Sequence, residues 1–220
     1  MARLFVAAGT DEFLEVDSAI ITAPPFTIVA WAKAATLGGP TAIFHLADKD
    51  GPADFWQLGI DASNVGRWRS KRGSGVGEAL SVLITVDVWQ HSTGVEITNV
   101  DRCAYLSGAN KGTNTTDEAP VGVDRTSIAR AGDSTPGNFW DGDIGHVAAY
   151  LGELSADVIA TLAAGFNPRR VQIDNLVGYW PVNGQSPEYN VVGSGVNLIV
   201  NGTPLISEEP PIRNFIQAPP

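Results

Sequence analysis

Short apolar runs recur along the chain, each cut by Gly, Pro, Asn or Asp before it grows long. Over residues 12–21, Phe13, Glu15 and Asp17 alternate with Leu14, Val16 and Ser18, the period of a half-buried strand, and Pro24-Pro25 ends it. Residues 26–32 (Phe-Thr-Ile-Val-Ala-Trp-Ala) are apolar on both faces, which predicts a central strand covered on both sides. Further strands are predicted over 41–46, 55–60, 67–73, 79–88, 89–100, 104–106, 127–130 and 144–151, with late ones over 176–182 and 196–200. The polar stretches 47–52 and 108–117 are expected to be loops between them. The apolar opening, residues 1–8, reads as a first strand followed by a turn at Gly9-Thr10-Asp11-Glu12.

One helix stands out. Ser155 is an N-cap, Asp157 lies in the first turn, and Val158, Ile159 and Leu162 make an apolar stripe that Gly165 and Asn167-Pro168 close. Many short strands, one short helix near 155–165 and frequent turns predict an all-β fold, an antiparallel two-sheet β-sandwich or jelly roll. A single domain is expected over residues 1–206. The stretch 207–220 is proline-rich and is expected to be extended, lying against a partner.

Composition narrows the function. The 220 residues carry a net charge of −10, a field that repels phosphate backbones and anionic membranes, so neither nucleic acid nor membrane is an expected partner. No window suits a membrane span, and the N-terminal apolar run is shorter than a signal-peptide core needs. The sequons at Asn114 and Asn201 therefore read as polar loops. The lone cysteine, Cys103, excludes an intrachain disulfide and reads as a buried, inert thiol.

Three stretches in order resemble laminin-G-like domains of the concanavalin A-like lectin and glucanase group. They are Phe13-Leu14-Glu15-Val16 with residues 26–31, Trp89-Gln90-His91 with Ala104-Tyr105-Leu106-Ser107-Gly108, and the run Trp140 to Tyr150. The last is similar to that family's aromatic-x-Gly-x-Ile-x-x-Val-x-x-Tyr pattern. Here Val147, Ala149 and Leu151 are expected on one face, and Ile144 either needs a bulge or sits at the strand entry. Gly145-His146 stands where many relatives have an acidic residue. A second resemblance covers residues 176–204, which look like the ending of laminin-G-like proteins from phage genomes. It implies a virion surface protein, a head decoration, head fibre or tail component. Such a protein assembles in the host cytoplasm, docks on other virion proteins or itself as a homo-oligomer, and contacts host glycans. The other reading is a lectin-like carbohydrate-binding module.

Candidate chemistry is sparse, and the chain is expected not to be an enzyme. Glu15-Val16-Asp17 lacks the third carboxylate of the Glu-x-Asp-x-x-Glu pattern used by glucan hydrolases of this group. Arg67, Arg69, Lys71 and Arg72 invert the charge locally and suit docking on an acidic surface such as a capsid subunit or an anionic glycan; a solvated edge strand explains them equally. Trp56 and Trp68, if exposed, can stack on a sugar ring. No cofactor is implied beyond calcium, for which Asp48, Asp50, Asp141 and Asp143 offer paired loop carboxylates.

Overall fold

The computed structural model describes residues 1–7, 12–193 and 196–213. The turn expected at Gly9-Thr10-Asp11 and the tail beyond residue 213 lie outside them. In chain order the strands are β1 (Ala2–Phe5), β2 (Phe13–Val16), β3 (Phe26–Ala34), β4 (Thr41–Ala47), β5 (Asp54–Ile60), β6 (Val65–Arg72), β7 (Gly75–Leu83) and β8 (Gln90–Thr98). There follow β9 (Asp101–Leu106), β10 (Ala109–Asn114), β11 (Arg125–Ile128), β12 (Gly142–Leu151), helix α1 (Ala156–Ala163), β13 (Leu176–Trp180), β14 (Ile199–Asn201) and β15 (Leu205–Ser207).

Among the described residues these make two antiparallel sheets. An eight-stranded sheet runs β10-β9-β8-β3-β12-β1-β15, with β13 also paired to β12. The facing seven-stranded sheet runs β14-β2-β11-β4-β5-β6-β7. The expected β-sandwich with one short helix is the fold observed.

Strand β3 shows why both its faces are apolar. Its even positions, Phe26, Ile28, Ala30, Ala32 and Ala34, enter the core between the sheets. Val29 points the other way, into a second apolar cluster with Tyr150, Leu154, Ile159 and Leu162. Helix α1 covers that outer face; Ser155 caps it by accepting from the Val158 amide, as its sequence predicts. The sandwich is therefore three layers deep on one side and two on the other.

Strand β12 changes parity midway. Ile144 faces the inter-sheet core, as do Val147 and Ala149, so inward positions switch from even to odd. The register against β3 slips between Gly145 and Ala148, and His146 sits there with φ +50°. The bulge thus lies at His146 rather than Ile144, and it turns one side chain out of the pleat. Leu151, expected on the core face, is 49% exposed at the strand end.

Two other expectations are corrected. The polar stretch 108–117 contains strand β10, which lacks an apolar face because it closes the sandwich edge-on. Ser81 Oγ donates to the Asn110 carbonyl at 2.8 Å, and a Cβ at Gly112 would stand 1.7 Å from the Leu80 carbonyl oxygen. The segment after β15 is expected to lie against a partner; its described part, residues 208–213, lies on its own domain. Glu208 pairs with Lys33, Pro210 is buried against Gly145, and the Arg213 amide donates to the Gly165 carbonyl.

A buried ion pair ties the two sheets together near β10. Glu96 on β8 accepts from Trp68 Nε1 at 2.7 Å and Ser70 Oγ at 2.8 Å, both from β6 of the opposite sheet. Arg102 on β9 lies 3.3 Å from Glu96 and donates to Asn114 Oδ1, Thr116 O and Asn99 O. Both charges are fully buried, and their remaining polar capacity is used, the condition under which such a pair holds a fold. Arg102→Met is expected to cost about 3–5 kcal/mol, because it strands the Glu96 carboxylate. Urea unfolding checks this; a loss below about 1 kcal/mol, the range of surface pairs, would contradict it.

Candidate functional site

The two-residue period of the pleat divides the sequence-selected residues. On β6, Arg67, Arg69 and Lys71 point out of the seven-stranded sheet, while Trp68 and Ser70 point into the core. Trp68 is 0% and Trp56 1% exposed, and each meets the Phe26 ring edge-on, at 5.7 and 5.2 Å. Neither can stack on a sugar. Their place as binding residues is corrected to core. Arg72 stands apart at the exposed strand end, opposite Asp54. Nor is β6 an edge strand: it lies between β5 and β7, and β7 forms the edge.

Across the outer face of this sheet the register sets side by side Glu15, Ser127, His45, Gln57, Arg69 and Glu78. Directly opposed residues share a face, so one polar row crosses six strands, roughly 24 Å at ~4.8 Å per strand. Arg67 joins it, donating to Gln57 Oε1 at 2.7 Å and Glu78 Oε1 at 3.0 Å. Arg69 and Lys71 lie over the Phe55 ring at 5.4 and 5.6 Å. These basic side chains are held by local partners rather than free.

Residues 129–140 fold back over the middle of the row. The Gly132 amide donates to His45 Nδ1 at 3.1 Å, Arg125 donates to the Gly132 carbonyl, and the Ala42 amide donates to the Asn138 carbonyl. Gly132 must be glycine there, since a Cβ would lie 2.0 Å from Ser127 Oγ. Beneath this cover His45 Nε2, Gln57 Nε2 and Arg67 Nε have no hydrogen-bond acceptor among the described residues. The face is rich in buried donors.

Where the covering loop meets β2 and β14 the surface opens into a groove. Two adjoining cavities, about 540 and 340 Å³, share Asn201. The first is walled by Phe13, Arg130, Pro136 and Phe139, the second by Glu15, Asp17, Arg125 and Ile199. The Arg130 guanidinium lies 3.5 Å from the Phe13 ring centroid, a close cation–π contact, and holds Glu15 at 2.5 Å. Arg125 holds Asp17 at 2.8 Å, and Phe13 and Phe139 stand 6.4 Å apart. The groove therefore offers the Phe139 ring, two guanidinium groups fixed by carboxylates, one of them lying over the buried Phe13 ring, and an amide at its centre. Sequence reasoning marked Glu15 and Asp17 but missed Arg125, Arg130 and Asn201, whose partners lie over 70 positions away.

The calcium candidates separate. Asp48 and Asp50 converge with Asp124, which the sequence did not suggest, all within 4.8 Å. Lys49 Nζ lies 2.5 Å from Asp50 and 3.5 Å from Asp124, an ammonium where a cation would sit. Asp141 instead accepts from Thr36, and Asp143 pairs with Lys33 at 3.0 Å. Cys103 is buried, and that burial raises its thiol pKa, as an inert cysteine should show.

The family described as the concanavalin A-like lectin/glucanases superfamily matches residues 8–160. Among solved structures, the native heptameric SAP-like pentraxin of Limulus polyphemus superposes with a TM-score of 0.67 at 11% identity, covering 94% of each chain. Domain 4 of AbnA, an extracellular arabinanase of Geobacillus stearothermophilus solved with arabinotriose, gives 0.57 at 19% identity, over 68% of this chain and 71% of that one. The CBM40 of the Ruminococcus gnavus IT-sialidase, bound to alpha2,3 sialyllactose, gives 0.55 at 13%, over 64% and 84%. No curated protein sequence matches the chain.

His45 makes the covered row sensitive to acid. Burial, reinforced by Arg67, Arg69 and Arg130, pushes its pKa from 6.5 down to about 3, so it is neutral when folded. Unfolding frees it to bind a proton below pH 6.5. Its neutral form thus stabilises fully above that value, and stability is lost as the pH falls toward 3. In His45→Gln, whose amide oxygen can still accept from Gly132, the advantage of the parent protein is expected to shrink by about 1.4 kcal/mol per pH unit below 6.5. Denaturant titrations at pH 6 and pH 4.5 measure this, and parallel profiles for the two proteins would contradict it.

Proposed function

The chain belongs to the concanavalin A-like lectin/glucanases superfamily, and from that premise we propose that it is a non-catalytic glycan-binding module. The observation that carries the reading is the groove over β2 and β14. The ring at Phe139 suits the C–H face of a sugar, and Arg130, whose guanidinium covers the buried Phe13 ring, and Asn201 suit its oxygens. Two of the solved structures with this fold are complexes, one with arabinotriose and one with sialyllactose. Catalysis is disfavoured by the neutralised carboxylates. Glu15 and Asp17, nearest to the hydrolase pattern, are both engaged by arginines.

Binding in the groove does not call on calcium, because its carboxylates already face guanidinium groups. The Asp48, Asp50 and Asp124 cluster lines neither cavity, and any cation there would have to displace Lys49.

A second reading, a module displayed on a phage particle, rests on the likeness of residues 176–204 to phage proteins. It is favoured by Ile199, Leu205 and Ile206, which β14 and β15 leave exposed at the sheet edges, where a neighbouring copy or another virion protein can pair. The readings are compatible, since a displayed module can bind host glycans. Light scattering tests this one: a defined oligomer supports it, and a monomer at ~0.1 mM contradicts self-assembly.

For the groove, a glycan array containing arabinan and sialylated oligosaccharides is the direct test. Saturable binding is expected, unaffected by EDTA and weakened about tenfold or more, ~1.4 kcal/mol, by Arg130→Ala and by Asn201→Ala. The second variant alters a half-buried rim side chain, so it separates binding from folding. No binding, or binding indifferent to both substitutions, would overturn the proposal.

A further inference from the structure

A second cavity, about 380 Å³, opens on the opposite, eight-stranded sheet at the β12 bulge. It is lined by Met1, His146, Asn167, Arg169, Tyr179, Asn183 and Glu209, with Pro181 and Val191 as its apolar wall, and the Met1 ammonium stands 3.3 Å from Glu209. The backbone around it is unusual. His146 has φ +50°, and Val182, a buried β-branched residue, has φ +57°; the His146 amide donates to the Pro181 carbonyl between them. Non-glycine residues hold such angles only against steric strain, and they concentrate where a side chain must be aimed.

The side chain aimed here is an imidazole with one free nitrogen. Asn167 Nδ2 donates to the Tyr179 hydroxyl, which hydrogen-bonds His146 Nδ1 at 2.5 Å. The Glu209 carboxylate 3.6 Å from Nε2 favours the tautomer with the ring proton on that nitrogen. Burial keeps the ring neutral, its pKa down at about 4. His146 is more than nine-tenths buried, yet among the described residues Nε2 has no hydrogen-bond partner; Glu209 Oε1 stands 3.6 Å away. Asn183 Oδ1, also buried in this wall, has none either.

These groups select a ligand class. The Glu209 carboxylate is already paired with the Met1 ammonium at 3.3 Å, and an anion would meet the unpartnered Asn183 oxygen. A cation would meet Arg169 and the imidazole N–H. Hydroxyl groups both donate and accept, so a neutral polyol satisfies the donors (His146 Nε2, Arg169, Asn167) and the acceptors (Asn183, Glu209) together. Its C–H face would lie on Pro181 and Val191. We infer that this cavity is a second binding site, specific for the vicinal hydroxyls of a neutral sugar ring. It is independent of the groove, and the two sites lie on opposite sheets, so one module can hold two glycan chains at once.

The test observes the His146 ring nitrogens by NMR in the full chain, assigned with His146→Gln. Methyl glycosides of glucose, galactose, mannose and N-acetylglucosamine are titrated to about 50 mM, which covers a ~1 mM Kd. At least one is expected to shift Nε2 saturably. Asn183→Ala with Glu209→Gln should weaken that binding tenfold or more while leaving the amide spectrum folded. Arg130→Ala, in the groove, should leave it unchanged, so failure of either site is seen separately. No shift with any of the four sugars, or a shift that survives the double variant, would overturn the inference.

Discussion

The pleat of β5 and β6 is the constraint on which the rest of the structure depends. A two-residue period sends Trp56 and Trp68 to one side and Gln57, Arg67 and Arg69 to the other. The inward set builds the core around Phe26 and, through Trp68 Nε1, reaches across to Glu96 on the facing sheet. Gly94 leaves the room, since a Cβ there would lie 2.0 Å from the Trp68 ring. The outward set needs a polar cover, and residues 129–140 supply it. Slipping β6 by one residue would bury three cations in the core, so register here decides both stability and surface chemistry.

The bulge in β12 is the one departure from this regularity, and it gives the second sheet its chemistry. Without the extra residue, position 146 would point squarely to one side of the sheet. With it, His146 turns toward Tyr179 and the segment that follows β15. That segment supplies Glu209 and lays Pro210 on Gly145, where any side chain would press the proline ring at 3.2 Å. Gly145-His146, which sets this sequence apart from many relatives, is therefore a structural pair: one residue makes room, the other is aimed.

What could be read from the sequence was local. The both-sided apolarity of residues 26–32, the Ser155 cap and the order of motifs up to Tyr150 gave the sandwich, because each signal lies within one element. Strand β10 was hidden, since Ala-Asn-Lys-Gly-Thr-Asn meets β7 edge-on and needs no apolar face. The basic cluster was visible, but not that Trp68 within it is core and that Glu78 and Gln57 hold its outward members. The groove was mostly invisible. Glu15 with Arg130, Phe13 with Phe139, and both with Asn201 are long-range pairings that no spacing rule encodes. Asp124 beside Asp48 and Asp50 is the same kind of omission.

The central claim is that the outer face of the seven-stranded sheet, where the 129–140 loop meets β2 and β14, receives a glycan. A crystal structure with the tightest-binding oligosaccharide from an array tests it most directly. The account predicts a sugar ring between Phe139 and Asn201, with Arg130 on its oxygens. Density for the sugar at the Asp48, Asp50 and Asp124 rim instead, with the groove empty, would contradict it.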